Sequence, residues 1–526
     1  GCGSRSEPSG LAKRGAEDLN WEMSNRRGTR AEKVLPATLR SRLTPEQTKR
    51  LEEAMENVRK IVEEVLPENT TFEDHEKAVL EITNEVARSE LERKLQSMAD
   101  SYALRLHIEH NEDWHGWREV PAHEYRRHEP GTVTYHSLVG GLRVCRYTYR
   151  ERARNGSTYV PLELDAGLME HMTPGLARAT TYAHALMPIR EVDRLLRLAC
   201  LLPPSRSTLD RSARDLGAYA IGSHDEIEPA VRADETVPDD AHAIVLGTDR
   251  TAVSMRNDDN LQFRIGRDLR RPRPRQPRFG ARREGVSWHM DYVATLSFVD
   301  IRYERIASRS YRVPADEEPS YVATAMMEDV KHALAQNPRL TLSIVQDGAP
   351  ELWNLLREHL GGLATVGEWH EVLDWFHVAE RLARCAELSA DDPTQRTRLC
   401  DSWKRSLLER YDGANAFVRS LTRRARRVSN PVIAAELAVH VSYFRRRQPQ
   451  LCYRMTRDRG LPIGSGVTEG SCKSIIGTRA KRSGQHWTQR GLSAALHWRT
   501  VIASDRFAAT WSHFAARYRA SVLRPS

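Results

Sequence analysis

Two short apolar segments, each followed closely by an aspartate, constrain the fold of this 526-residue chain most strongly. Ala243–Leu246 (AIVL) leads through GTD to Asp249, and Leu340–Val345 (LTLSIV) leads through QD to Asp347. These runs predict buried strands, and Tyr321–Ala335 between them predicts a helix, which is the pattern of an α/β sheet. Either aspartate alone is more simply explained as a helix cap or a turn former. Because polar groups beyond buried strands gather at one edge of such a sheet, the repeated pattern favours a shared site.

A glycine-rich loop near the C-terminus supplies a third acidic candidate. The run GSGVTEGSCK (464–473) predicts a helix that begins near Thr468, with Glu469 in its first turn and Lys473 four residues later. On its own, Glu469 is explained by the favourable position of a carboxylate at a helix N-terminus. Together with Asp249 and Asp347, it predicts a site for two Mg²⁺ ions, replaceable by Mn²⁺. Such ions prefer oxygen ligands, and a pair of them catalyses in-line phosphoryl transfer.

The positive charge of the chain is concentrated in arginine clusters. Lys and Arg number 80 against 71 Asp and Glu, which gives a net charge of +9 and a pI of about 9.2. Arg264–Arg283 contains nine arginines and three prolines, and it predicts a mobile loop that contacts the DNA backbone. Further clusters lie at 419–427, 445–447 and 479–487. A solvated basic surface is the alternative interpretation of each cluster.

Two of these clusters, at 264–283 and 479–487, supply further predicted DNA contacts. They are Arg270, Arg271, Arg273, Arg479, Lys481 and Arg482, with the aromatic Trp487 beside them. Stacking of Trp487 on an unpaired base and packing of Trp487 in the core are both compatible with the sequence.

The N-terminal half predicts helices, a hairpin and a helix-turn-helix. Capping boxes at 44–47 (TPEQ) and 70–73 (TTFE) each begin an amphipathic helix. The period changes to two over 132–139 and 142–150, which predicts a β-hairpin that turns at Gly140-Gly141. Helices are predicted at 176–186, 189–202 and 205–220, and Ser205 is the N-cap of the last. The final pair has the layout of a helix-turn-helix, so Arg206, Ser207 and Arg211 are predicted to contact DNA. Ordinary packing of a short helical pair is the alternative.

Membrane and secreted classes do not fit the sequence. No run approaches the ~20 apolar residues of a membrane-spanning helix. Gly1–Asn20 has no apolar segment typical of a signal peptide. The seven cysteines are widely spaced without a CxxC pair, which indicates reduced thiols. A cytoplasmic, nucleoid-associated protein is therefore expected.

Several segments resemble the ISKra-type insertion-sequence transposases of the DDE class. They are LGTDRTAVSM (246–255), IVQDGAPELW (344–353), LDWFHVAERL (373–382), GSGVTEGSCKSIIGTRAKRSGQHW (464–487) and the N-terminal TTFEDHEKAVLEI (70–82). The resemblance implies that Asp249, Asp347 and Glu469 form a DDE triad on an RNase H-like sheet. It also implies a helical insertion domain between Asp347 and Glu469.

The same resemblance extends to the residues around the predicted triad. Asp374 and His377 match a DxxH motif that, with Lys473, would support the active site. A histidine beside a tryptophan is otherwise usual in a packed core. Relatives often carry paired cysteines near 145–155, whereas this chain has only Cys145 there, so no zinc is expected.

The predicted fold is an α/β RNase H-like catalytic core with a large all-α insertion, preceded by helical and DNA-binding regions. The predicted boundaries are a disordered basic tail at 1–40, a helical region at 41–130, a β-hairpin with helix-turn-helix at 131–220, a linker at 221–238, the first part of the core at 239–366, the helical insertion at 367–463 and the C-terminal core helices at 464–526.

The predicted activity is metal-dependent cleavage at transposon ends, followed by transfer of the 3′-hydroxyl into target DNA. The partners would be double-stranded DNA, as terminal inverted repeats and target, and further copies of the chain in a homodimer or larger homo-oligomer. An RNase H-like nuclease without joining activity and a transposase-derived DNA-binding regulator are the alternatives.

Overall fold

The computed structural model describes residues 44–67, 70–104, 125–151, 158–256, 286–313 and 318–522. The predicted basic tail at 1–40 and the DNA contacts Arg270, Arg271 and Arg273 lie outside these ranges. The fold is mixed α/β, with one five-stranded mixed sheet and many helices. None of the helices in the described ranges is long and apolar enough to cross a membrane.

The chain divides into two compact units, Gly1–Ala87 and Arg88–Ser526. Helix α1 (Pro45–Val65) belongs to the first unit, and α2 (Phe72–Leu104) runs across the boundary. The capping box that begins α1 is confirmed: Thr44 Oγ1 accepts from the Gln47 amide at 3.2 Å, and Gln47 Oε1 accepts from the Thr44 amide at 2.9 Å.

The second capping box lies one residue later than predicted. Thr71 Oγ1 accepts from the Asp74 amide at 3.2 Å, and Asp74 Oδ2 accepts from the Thr71 amide at 3.1 Å. Glu73, the predicted partner, instead accepts from Lys77 at 2.7 Å on the helix surface. Because Thr70 and Thr71 are adjacent, either could begin a capping box with the acidic residue three positions later. The structure has the pair Thr71 and Asp74.

Five short strands follow α2 in the second unit. They are β1 (Tyr125–Arg127), β2 (Gly131–Ser137), β3 (Gly140–Arg146), β4 (Tyr149–Glu151) and β5 (Thr158–Tyr159). The β2–β3 hairpin is confirmed, but its turn is Leu138-Val139, because Ser137 pairs with Gly140. Ser137 Oγ closes this turn by donating to the Gly140 carbonyl at 2.8 Å and accepting from the Val139 amide at 3.2 Å. Gly140 has a φ of +117°, a conformation that favours glycine.

A group of helices precedes the large sheet. They are α3 (Pro161–Asp165), α4 (Pro174–Leu186), α5 (Ile189–Leu198), α6 (Arg206–Gly222) and α7 (His224–Ala233). Ser205 is the N-cap of α6, as predicted, and accepts from the Thr208 amide at 3.2 Å.

The prediction of a linker at 221–238 is wrong, because α7 occupies most of this segment. Ile227 and Val231 are buried one turn apart on this helix. Arg232 Nε donates to Asp329 Oδ1 at 2.6 Å. Acidic residues in the first turn suit a helix N-terminus. Burial of apolar residues and ion pairing thus stabilise a helix here, although the acidic composition and the internal Pro229 suggested an irregular linker.

The large sheet has the strand order β10-β9-β6-β7-β8. Its strands are β6 (Ala243–Arg256), β7 (Val286–Val299), β8 (Arg305–Arg312), β9 (Thr341–Gln346) and β10 (His370–Leu373). Strands β6, β9 and β10 are mutually parallel, and β7 is antiparallel to both β6 and β8. Helix α8 (Pro319–Gln336) joins β8 to β9, and α9 (Pro350–Gly361) joins β9 to β10.

Strand β6 is longer than predicted, which changes the position of Asp249. The parallel pairing of β6 with β9 ends at Leu246, but its antiparallel pairing with β7 continues to Arg256. Asp249 therefore lies within the strand, opposite Val293, and not beyond its end as predicted. Asp347 does follow the last residue of β9.

Helices cover both faces of this sheet. Those after β10 are α10 (Trp375–Ser389), α11 (Pro393–Glu409), α12 (Gly413–Ala425), α13 (Pro431–Arg446), a 3₁₀ turn (Gln448–Leu451), α14 (Tyr453–Asp458), α15 (Gly466–Cys472), a π-helical turn (Lys473–Gly477), α16 (Thr478–Ala480), α17 (Gln489–Ala503) and α18 (Phe507–Val522). Trp403, Phe417 and Phe444 of the α10–α13 region share one hydrophobic core with Ile244 and Ile344 of the sheet. On the other face, Val253 and Val293 pack with Ile475 and Leu492.

Candidate active site

One cleft of about 420 Å³ brings the three predicted acidic residues together. Asp249 comes from the middle of β6, Asp347 from the end of β9 and Glu469 from the first turn of α15. His377 and Lys473, predicted as supporting residues, line the same cleft. Three segments that are far apart in the sequence thus meet at one place.

The electrostatics of Asp249 reflect this crowding. Burial raises the pKa of the Asp249 carboxyl, and the nearby carboxylates of Asp347 and Glu469 add to the rise. Hydrogen bonds from the Arg250 amide, at 2.7 Å, and from the Cys472 thiol oppose it. Carboxylates in this arrangement repel one another unless a cation lies among them. All three side chains offer oxygen atoms, the type of ligand that a hard divalent cation such as Mg²⁺ prefers.

Gly247 allows the helix that carries Glu469 to lie against the sheet. A Cβ atom at Gly247 would overlap Thr468 Oγ1 and would lie 3.0 Å from the Val345 carbonyl oxygen. Thr468 is buried, and its hydroxyl lies 2.7 Å from the Thr295 hydroxyl on β7. Since Glu469 directly follows Thr468, this close packing sets the distance between Glu469 and the aspartate of β6.

Resting on the predicted joining of DNA, we expect Gly247→Ala to lower that activity on the order of a hundredfold, because a misplacement of about 1 Å costs that much when reacting groups must be aligned. Joining of labelled DNA ends, measured against the unfolding midpoint of the same protein, would check this. Gly470→Ala is the matched control, since a Cβ at Gly470 of the same helix meets nothing within 4 Å. Equal activity of the two variants would show that the packing at Gly247 does not position Glu469.

Asp374 and His377 connect α10 to the loop before Glu469. Asp374 is fully buried, and its Oδ1 accepts from the Ser465 amide at 2.6 Å. Its Oδ2 accepts from the His377 amide at 2.9 Å and lies 2.8 Å from His377 Nδ1. The aspartate therefore caps α10 and holds the loop at the same time.

His377 lies between Asp374 and the acidic cleft. Its Nδ1 is 3.8 Å from Glu469 Oε1, and its side chain is 43% exposed, so it is not a packed core residue. Burial opposes its protonation, but the hydrogen bond to Asp374 and the charges of Asp374, Glu469 and Asp347 outweigh this and raise the pKa of His377. One ligand atom each of Asp374, His377 and Glu469 lies within 4.8 Å of the others. Because both Asp374 oxygens already accept hydrogen bonds, this aspartate is better suited to holding the loop than to binding a metal.

The basic residues after Glu469 divide into buried and exposed groups. Arg479 is only 2% exposed, its Nε donates to the His184 carbonyl at 3.2 Å, and burial lowers its pKa to about 10. The predicted DNA contact of Arg479 is therefore corrected to a packing role. Trp487 is half-buried, donates from Nε1 to the Ala480 carbonyl at 3.1 Å and lies under the Arg479 guanidinium at 4.6 Å. Trp487 thus packs partly against the core, and its predicted DNA contact stays a prediction.

Lys481 and Arg482 are exposed and reach different partners. Lys481 lines the acidic cleft, and its Nζ donates to Thr251 Oγ1. Arg482 Nη1 lies 2.8 Å from Glu191 Oε1. Lys473 Nζ lies 3.5 Å from Glu469 Oε2 with its side chain 80% exposed. Of the basic side chains predicted near the active site, Lys473 and Lys481 line the cleft.

The predicted recognition helix α6 exposes Arg206, Ser207 and Arg211 near its start. Its opposite side buries Leu209 and Leu216. Further along the same helix, Gly217 packs directly on Ala494 of α17. The helix is therefore anchored in the core and presents its first turns to solvent.

Cys472 is a cleft residue that the sequence interpretation overlooked. Its thiol is buried, hydrogen-bonds to Asp249, and burial with the Asp249 charge raises its pKa to about 12, so it remains protonated. The available signal was its spacing of three residues from Glu469, which places both on one side of a helical turn.

Comparison with known proteins gives little beyond this geometry. No protein family matches the chain, and no curated protein matches it. Among solved structures, a chain of the Drosophila P element transposase strand transfer complex matches at 12% identity, covering 62% of this chain and 91% of that chain, with a TM-score of 0.30. A likeness this distant assigns the chain to no family.

Proposed function

We propose that this chain is a DDE transposase of the ISKra type, which cuts transposon ends and joins the released 3′-hydroxyl to target DNA. The convergence of Asp249, Asp347 and Glu469 on one cleft carries the proposal. An RNase H-like core is supported by the sheet, in which three antiparallel strands (β8-β7-β6) continue into two parallel ones (β9-β10). The helices α10–α14, which stand between Asp347 and Glu469, would be the insertion domain.

The chemistry would follow from the acidic cleft. Asp249, Asp347 and Glu469 would hold two Mg²⁺ ions, whose positive charge would favour attack on a phosphodiester and departure of the leaving oxygen. Asp374 would hold the Ser465 loop in place and so fix the distance of Glu469 from Asp249 and Asp347. Lys473 and Lys481 would face the phosphates of the bound strand, because their side chains are exposed at the cleft.

A joining assay tests the proposal. The protein would be incubated with labelled element ends, a target plasmid and Mg²⁺, and the products separated by size. Joined product that depends on Mg²⁺ or Mn²⁺ is the expected result. Cleavage without joining would favour an RNase H-like nuclease, and sequence-specific binding without cleavage would favour a DNA-binding regulator.

Recognition of the transposon ends is proposed to involve the exposed start of α6. We expect Arg206→Ala combined with Arg211→Ala to reduce the preference for element ends over random DNA by about 30-fold or more, because base contacts contribute specificity of about 1–3 kcal/mol each and two of them are removed. Competition binding at fixed salt would measure this. Arg214→Ala is the control, since Arg214 on the same helix is 2.6 Å from Asp210 in an ion pair. An unchanged preference in the double variant would remove α6 from end recognition.

A further inference from the structure

Two arginines and a tyrosine from the helical region stand beside the Asp347 turn. The guanidinium carbon of Arg381, on α10, lies 4.1 Å from the centre of the Tyr443 ring. That of Arg447, just after α13, lies 4.4 Å from the same ring. We call Arg381, Tyr443 and Arg447 the arginine–tyrosine stack.

The arginine–tyrosine stack contacts the residue that follows Asp347. Arg447 Nη2 donates to the Gly348 carbonyl. A Cβ atom at Gly348 would overlap the Tyr443 hydroxyl and would lie 3.0 Å from two carbons of its ring. Only a glycine at 348 allows this approach, so the stack lies against the turn that follows Asp347.

The charges of the arginine–tyrosine stack are not neutralised within the described part of the chain. No carboxylate of the described residues forms an ion pair with Arg381 or Arg447. Arg384, one turn along α10 from Arg381, shows the contrast: it pairs with Glu436 at 2.8 Å and with Glu387 at 3.2 Å. Attraction to the face of the Tyr443 ring only partly offsets the repulsion between the two positive guanidiniums that it holds. An anion is therefore the expected partner of the stack.

Geometry narrows the chemistry of that anion. A guanidinium presents a planar set of donors that matches two oxygens of a phosphate, and the ring of Tyr443 holds both guanidiniums in place. Arg381 is exposed, so its donors are open to solvent. Resting on the proposed function for the presence of DNA in the cleft, we propose that the arginine–tyrosine stack binds a phosphodiester group of the strand that enters on the Asp347 side. Contacts of this kind position the strand without reading its sequence.

The salt dependence of DNA binding tests the inference. A short labelled duplex of random sequence would be titrated with full-length protein in Ca²⁺, with binding followed by fluorescence anisotropy at several salt concentrations. Loss of one phosphate contact lowers the slope of log affinity against log salt by about 0.9. We expect that decrease for Arg381→Ala, and wild-type slopes for Arg381→Lys and for the matched control Arg384→Ala.

Two outcomes separate the stack from the rest of the proposal. If the wild-type protein joins DNA ends but Arg381→Ala and Arg384→Ala have the same slope, the arginine–tyrosine stack does not bind phosphate and only this inference is overturned. If the slope for Arg381→Ala decreases as expected while the wild-type protein neither cleaves nor joins DNA, phosphate binding by the stack is upheld and the proposed function is overturned. Tyr443→Phe keeps the ring and should retain the slope, whereas Tyr443→Leu should lower it towards that of Arg381→Ala.

Discussion

Asp249→Asn, Asp347→Asn and Glu469→Gln should each reduce cleavage and joining by at least about 10³-fold, which corresponds to roughly 4 kcal/mol of lost transition-state stabilisation. An amide keeps the shape of the carboxylate but removes the charge that holds a divalent cation. DNA affinity should stay at the wild-type level or rise, because each change removes a negative charge from a surface that faces phosphates. Joining assays in Mg²⁺ and binding assays in Ca²⁺ would measure the two quantities separately.

A carboxylate that pairs with a residue of the cleft provides the control for these three variants. Glu351 forms an ion pair with Arg250, and its side chain is 46% exposed. Glu351→Gln should retain joining within a few-fold, because exposed pairs contribute only about 0–1 kcal/mol. Robust joining by any of the three amide variants would remove that residue from the triad. A loss in Glu351→Gln equal to theirs would show that the assay responds to charge in general and not to metal binding.

Asp374→Ala should lower joining on the order of a hundredfold and also destabilise the fold by about 3 kcal/mol. The change would leave the buried amide of Ser465 and the half-buried amide of His377 without their acceptor. With the Ser465 loop released, Glu469 would lose its fixed distance from Asp249, so binding of the cation would weaken. The Mg²⁺ concentration that gives half-maximal joining should therefore rise, an effect that loss of stability alone would not produce.

His377→Ala separates the two contributions of Asp374. It keeps the Asp374–Ser465 hydrogen bond but removes the imidazole that stands 3.8 Å from Glu469. We expect near-wild-type stability in urea and a smaller rise in the Mg²⁺ requirement than for Asp374→Ala. An Asp374→Ala protein that is folded and needs no additional Mg²⁺ would limit Asp374 to a structural role.

Local interactions explain which parts of the fold were predictable. The capping box at Thr44 and the N-cap at Ser205 depend on residues three apart, so the sequence alone specifies them. The hairpin turn was misplaced because glycines commonly form such turns, whereas here Ser137 closes the turn with its side chain and Gly140 begins the next strand. The position of Asp249 was misplaced for a different reason. Its strand is extended by pairing with β7, a partner that the sequence does not identify.

Tertiary packing explains the remaining errors at the candidate site. The arginines at 479 and 482 look alike in sequence, yet Arg479 is buried against His184 and Arg482 is exposed beside Glu191. The difference arises because α4, far away in the chain, packs on Arg479, whereas Arg482 meets Glu191 of α5 at the surface. The carboxylates of the cleft could be located because each follows a distinctive local pattern, whereas Cys472 lines the cleft only through contacts between distant segments.

The shared core of the sheet and the α10–α13 region has a consequence for engineering. Trp403, Phe417 and Phe444 belong to the same apolar cluster as Ile244 and Ile344, so the helices do not form a detachable module. Trimming the chain to its acidic sheet would expose a broad apolar surface, and a smaller enzyme made in this way would aggregate. A reporter or affinity tag is better placed in the exposed turn at 426–427, between α12 and α13, which leaves the Asn430 cap of α13 intact.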